Sequence, residues 1–314
     1  MKTNTSIHGL NADGGIGPIK RRLWLLLNTV NNGLFPNAKG GLRVKRFAPH
    51  LDKASWEGID PKSSPSRALS DLFWKKLDWS AIVSEAGRLH VFDAGCGNGE
   101  YALRLQEFSG GSIERYYGID SNPRESWAEL QKNHDYIALK PHDSGDIVSI
   151  IPEDTNLFVT QSAIEHFEND LLFFEQIHSF IRRFSGPIIQ IHLFPSAACL
   201  KLYLYHGVRQ YTPRTVSAIT RLFDPETTCT ILYELGGKAC NRLHYDYITK
   251  PLLIDRNEDW RETKTDTYGR LLMETVESDI ADPGGQPSFY ALVIHSGYRK
   301  KIFESMGDLS ERHP

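Results

Sequence analysis

The chain has 314 residues, 40% hydrophobic and 24% charged, a composition of ordinary globular proteins that excludes a wholly disordered, collagen-like or disulfide-dense chain. A net charge of −3 excludes a chain that is polybasic throughout. Cys96, Cys199, Cys229 and Cys240 form no CxxC pair, so neither a zinc site nor a disulfide framework is indicated, and a reducing compartment is expected.

Residues 1–63 read as a basic arm and pre-domain segment. The first 53 residues hold five lysines and four arginines against Asp13 and Asp52. Within them Ile19 to Val30 reads as a short amphipathic helix between Gly- and Asn-rich loops. Such an arm either packs loosely on the domain or touches an anionic partner, a phosphorylated substrate or a membrane surface. The apolar run Leu23 to Leu27 is far shorter than the ~20 residues of a bilayer crossing, and no small-residue cleavage site follows it. A cytoplasmic protein without a transmembrane segment is expected.

Ser64-Pro65-Ser66 starts a helix whose apolar positions Ala68, Leu69, Leu72, Phe73 and Leu77 recur at helical spacing. Strands and helices then alternate over 64–235: a strand at 89–94, a helix at 100–108, a strand at 114–119 ending in Asp120, a helix at 124–132, strands at 136–139 and 157–160, a helix at 169–184 and a strand at 188–194. Further strands are expected at 229–235 and 289–295. Between them residues 236–287, rich in charge and tyrosine, read as an insertion that could cover a substrate, and 288–314 as the last strand and a tail. The alternation predicts an α/β fold with a doubly wound, mostly parallel, seven-stranded sheet.

Asp93-Ala94-Gly95-Cys96-Gly97-Asn98-Gly99 joins the first core strand to its helix as Asp-x-Gly-x-Gly-x-Gly. It misses a dinucleotide fingerprint, because the last glycine of Gly-x-Gly-x-x-Gly would fall on Glu100. A carboxylate at that helix N-terminus also disfavours a phosphate-bearing cofactor. Asp120 stands 21 residues beyond Gly99, where a carboxylate can accept hydrogen bonds from both hydroxyls of a ribose.

Together with Phe158 to Glu168, Phe-Val-Thr-Gln-Ser-Ala-Ile-Glu-His-Phe-Glu, these features resemble the class I S-adenosylmethionine-dependent methyltransferases, a Rossmann-like fold. The resemblance runs over residues 66 to 235 and the strand near 289–295. It implies S-adenosylmethionine as cofactor, with Asp93, Gly95, Gly97 and Gly99 at its methionine part, Asp120 and Ser121 at the ribose, Asp143 and Ser144 at the adenine edge, and Gln161 closing the pocket. Asp143 reads, as the lesser alternative, as a loop cap.

Methyl transfer from a sulfonium needs the acceptor aligned and, for a hydroxyl, a base. His166 and His192, at the ends of two strands, and Glu165 are the candidates, against packing roles for either histidine. A metal-using subset of the family resembles the Glu165–His166 pair, so Glu165, His166 and His192 could hold a divalent cation; Ser162 replaces the further carboxylate of that pattern, and no metal is expected. Tyr205, His206, Arg209, Tyr211 and Arg214 read as a substrate lid, or as the polar side of an amphipathic helix with Leu200, Leu202, Leu204 and Val208 inside. The expected activity is O-methylation of a small polar acceptor, a saccharide or sugar-phosphate-linked compound. The alternatives are methylation of a protein or other macromolecule, nucleic acid not favoured, and a non-catalytic cofactor-binding protein.

Overall fold

The protein is described by a computed structural model over residues 3–39 and 41–304, so the tail beyond Glu304 lies outside the described residues. The N-terminal third contains α1 (Pro18–Gly33), β1 (Arg43–Arg46), α2 (Lys53–Trp56), α3 (Pro65–Lys75), α4 (Trp79–Ala86), β2 (Leu89–Ala94) and α5 (Glu100–Phe108). The middle contains β3 (Ile113–Asp120), α6 (Ser126–Asn133), β4 (Ile137–Pro141), β5 (Leu157–Gln161), α7 (Asp170–Ile181) and β6 (Ile188–Pro195). Then follow α8 (Cys199–Leu202), α9 (Pro213–Thr220), β7 (Thr228–Leu235), α10 (Lys238–His244), a π-helical stretch Tyr245–Ile254, α11 (Trp260–Thr263), α12 (Thr265–Ala281) and β8 (Phe289–Ser296).

The strands form one sheet in the order β1-β7-β8-β6-β5-β2-β3-β4. β8 alone runs antiparallel to its neighbours, and every other pairing is parallel. The sheet therefore has eight strands, one more than expected. The addition is β1, drawn from the basic arm and paired with β7 at the sheet edge. Its sequence Arg-Val-Lys-Arg carries charges that suit an edge strand but hide it from an apolar-pattern reading. Three of those charges are used locally: Arg43 pairs with Glu304 at 2.7 Å, Lys45 donates to the Glu304 carbonyl, and Arg46 donates to the carbonyls of Asp279 and Ile280.

The central parallel strands are covered on both faces. On one side Val91, Tyr116, Val159 and Ile191 meet Leu69, Phe73 and Trp74 of α3. On the other, Phe92, Phe158 and Phe194 meet Phe173, Phe174 and Ile177 of α7. The insertion is mostly helical, and its α10 and α12 pack on each other and on α3. All four cysteines are buried thiols. Among the described residues no helix is long and apolar enough to cross a membrane.

The chain winds outward through β2, β3 and β4, then returns to place β5 on the other side of β2. A crevice opens beyond the carboxyl ends of strands at such a reversal.

Phe158 tests this packing, since its ring sits 5.8 Å from Phe92 and 5.5 Å from Phe180, fully buried. Phe158→Ala should lower the unfolding free energy by about 3–5 kcal/mol in a denaturant titration. A loss below about 1 kcal/mol would contradict its place in the core.

Candidate functional site

A cavity of about 1030 Å³ lies at that reversal, walled by the loops after β2, β3, β4 and β5. The first loop must turn at once, and glycines make it possible. Gly95 has φ 82°, and a Cβ there would come within 2.4 Å of the Ala163 Cβ. Gly97 has φ 53°, and a Cβ there would meet nothing within 4 Å, so its backbone borders open space. Gly99 is placed differently from the expectation. It caps α5 with φ 80° and faces Leu130 and Leu139, packing the helix against its neighbours without lining the cavity.

The loop is tied to the end of β3. The N–H groups of Gly95 and Cys96 donate to the Ile119 carbonyl. Gly97 N–H donates to Asp120 Oδ2 at 3.1 Å, and Asn122 N–H to Oδ1 at 3.0 Å. Each oxygen of Asp120 thus keeps accepting capacity side by side at the cavity wall. Ser121, Asp143 and Ser144 line the same wall, and Asp143 also caps its loop by accepting from Gly145 N–H at 2.7 Å.

Asp93 lies beneath the glycine turn, buried. Its Oδ2 accepts from the Tyr116 hydroxyl, whereas Oδ1 faces no hydrogen-bond partner. Burial pushes its pKa up to about 7, with the Asp120 charge adding and the Tyr116 hydrogen bond opposing. Gln161 is held at the cavity edge by Trp74, whose Nε1–H donates to Oε1 at 3.0 Å. Ser162 follows with φ 52°, a left-handed conformation costly for serine and concentrated at functional sites.

Arg67, in the first turn of α3, also reaches the wall, its guanidinium 4.8 Å from the centre of the Tyr101 ring and 4.0 Å from Glu100. In sequence Ser64-Pro65-Ser66 signals a helix start, and no local pattern marks Arg67 for the cavity.

Asp13 and His166 also line the cavity, in a group drawn from three segments. His166 Nδ1 lies 2.6 Å from Asp13 Oδ2, which also accepts from Gly207 N–H at 2.9 Å. His206 Nδ1 is 3.6 Å from Asp13 Oδ1, and the two imidazoles cross at 88° with centroids 4.5 Å apart. Burial works against a charged His166, but the hydrogen bond to Asp13 and the charges of Glu165 and Asp13 prevail and raise its pKa. Asp13 is correspondingly lowered: burial alone would raise it, and the His166 hydrogen bond with the Gly207 N–H outweighs that. Glu165 lies just behind, its Oε1 3.9 Å from His166 Nε2 and its Oε2 without a partner, and burial pushes its pKa up to about 7. Asp13 was not singled out in the sequence, and no local pattern links it to a histidine 153 residues away.

His192 stands apart from this group. It is fully buried in β6, with Nδ1 3.0 Å from Thr160 Oγ1, Nε2 3.3 Å from Gln190 Oε1, and its ring against Phe174 at 4.9 Å. Burial drives its pKa down to about 3, so it remains a neutral packing residue. Glu165, His166 and His192 therefore do not converge. The side chains that do are Asp13, His166 and His206, whose ligand-type atoms lie within 4.8 Å of one another.

The expected lid is likewise redistributed. Arg209 is buried and donates to the carbonyls of Ile164, Phe167 and Glu168. Tyr211 donates to Asp170, Arg214 donates to Asn31, and Tyr205 packs on Trp24. Of the five, His206 alone stands in the histidine cluster at the wall. No residue of 236–287 lines the cavity among the described residues.

No family model matches the chain, and no curated protein matches it. Among solved structures it is similar to a SAM-dependent methyltransferase from Archaeoglobus fulgidus, at 18% identity over 78% of this chain and 100% of that one, TM-score 0.45. It is similar to the plantazolicin methyltransferase BamL, solved with a triazolic desmethylPZN analog and SAH, at 12% identity over 78% and 88%, TM-score 0.45. An S-adenosylmethionine-dependent methyltransferase from Mesorhizobium loti follows at 14% over 69% and 95%, TM-score 0.42. Likenesses this distant carry no functional weight, which falls instead on the residues of the cavity.

Proposed function

We propose that the chain binds S-adenosylmethionine in this cavity and transfers its methyl group to a polar acceptor. The observation that carries the reading is Asp120, whose two oxygens, each tied by one backbone N–H, offer adjacent acceptors to a vicinal diol beside a glycine turn without side chains. The wall fits the rest of that ligand. The unpartnered Oδ1 of Asp93 suits an ammonium, Arg67 suits the α-carboxylate, and Asp143 and Ser144 offer polar contacts to the adenine edge. Asp93, Asp120 and Asp143 on one wall disfavour a pyrophosphate.

Bound there, S-adenosylmethionine supplies a methyl group activated on a sulfonium. The chain itself has to position the acceptor and take its proton. His166, lining the cavity and oriented by Asp13, is the base we assign for a hydroxyl acceptor, with Glu165 behind it setting the local charge. This supports O-methylation. The saccharide reading loses its main support, because Arg209, Tyr211 and Arg214 spend their polar groups inside the fold.

Three outcomes test the reading. Asp120→Ala should weaken binding of S-adenosylhomocysteine at least tenfold by calorimetry, for a loss of about 1.5–3 kcal/mol; unchanged affinity would remove the ribose assignment. Because Asp93 must be ionised to hold an ammonium and its pKa is near 7, wild-type affinity should rise several-fold from pH 6 to 7.5. Asp93→Asn should flatten that profile. His166→Ala should lower methyl transfer by ~10² to 10⁴ on whichever hydroxyl acceptor a panel identifies, while cofactor affinity stays within a few-fold. Equal turnover would rule out the base. Loss of wild-type activity to a chelator, restored by a divalent cation, would instead make Asp13, His166 and His206 ligands.

A further inference from the structure

α1 is turned inside out relative to an ordinary surface helix. Its inward residues are Trp24, Asn28, Asn31 and Asn32. Trp24 Nε1–H and Asn28 Nδ2 both donate to the Val208 carbonyl, at 3.1 and 3.2 Å, and Asn31 accepts from Arg214. Among its exposed residues is an apolar set. Ile19, Leu23, Leu26 and Val30 are spaced four, three and four apart, a single narrow stripe on a helix, and all are exposed, Ile19 by 82%. Phe35, 75% exposed on a left-handed backbone of φ 52°, extends the stripe past the helix end. A helix on a globular fold normally buries its apolar stripe, so one presented outward marks a surface that something covers.

The charge pattern says what covers it. Lys20 and Arg22 flank the stripe, α1 holds no Asp or Glu, and no ion pair among the described residues involves either of them. We propose that α1 docks the protein on an anionic phospholipid surface, lying in the interface with the apolar stripe at the acyl boundary and Lys20 and Arg22 among the headgroup phosphates. A second copy of the chain is a poorer occupant. Parallel pairing would set Lys20 and Arg22 of one copy on those of the other, and antiparallel pairing would set each pair against residues 31–35, which carry no acid.

The inner face of the helix adjoins the site. α1 follows the segment containing Asn11 and Asp13 that walls the cavity, and Trp24 and Asn28 hold Val208 next to Gly207 and His206. The inference does not depend on the methyl-transfer reading.

The test is co-flotation of the full chain with lipid vesicles, either neutral phosphatidylcholine alone or mixed with phosphatidylserine. Binding should be strong on the anionic vesicles at low salt, at least about tenfold weaker on the neutral ones, and weakened by salt. Leu23→Glu with Leu26→Glu, and separately Lys20→Glu with Arg22→Glu, should each reduce it about tenfold or more while circular dichroism and thermal unfolding stay native, since all four side chains are exposed. Absence of wild-type binding to anionic vesicles, or equal binding by both variants, overturns the proposal. So does a concentration-dependent dimer in light scattering that Leu23→Glu with Leu26→Glu dissolves without any vesicle binding by the wild type.

Discussion

The sharp exit from β2 is the constraint on which the site rests. Within residues 95–99 the chain must leave a buried strand and enter α5 while the ends of β3 and β5 press on either side. At Gly95 any side chain would collide with Ala163, and at Gly97 a left-handed backbone is needed where a ligand can approach. The turn is then locked by N–H groups directed at Ile119 and Asp120. One loop thus fixes the position of the Asp120 carboxylate, roofs the buried Asp93 and defines the edge on which Gln161 and Ser162 stand.

The stretch from β2 to the end of β3 was legible almost residue by residue, because apolar strand runs, a glycine turn and a carboxylate at fixed spacing are local signals. The predicted helix at Glu100 to Phe108 coincides with α5, and the strand at Leu89 to Ala94 with β2. What could not be read is what depends on distant partners. Asp13 acquires its role from His166 and Gly207. Arg209 and Tyr211 look like ligand-binding residues in sequence, but the carbonyls and the carboxylate left inside by the β5–α7 connection need donors, and these two side chains provide them. His192 sits in a strand buried on both faces, where no alternation separates a core position from a cavity one.

The two walls of the cavity differ in charge logic. One holds Asp93, unpaired at one oxygen and close to neutral pH in its ionisation, so that a cationic group arriving there would complete its hydrogen bonding. The other holds a hydrogen-bonded pair, Asp13 with His166, backed by a Glu165 that burial keeps near the same midpoint. The N-terminal segment contributes to the second wall and continues directly into α1, whose apolar outer stripe faces away from the fold. The arm is therefore part of the site's construction, and its helix turns the same end of the molecule toward a surface.

A crystal structure of the protein with S-adenosylhomocysteine tests the central claim most directly. The account predicts ligand density in the cavity, with the ribose hydroxyls on the two oxygens of Asp120, the amino group at Asp93 Oδ1 and the carboxylate at Arg67. A ligand bound elsewhere, or one whose ribose faces away from Asp120 while the glycine turn stays empty, would contradict it.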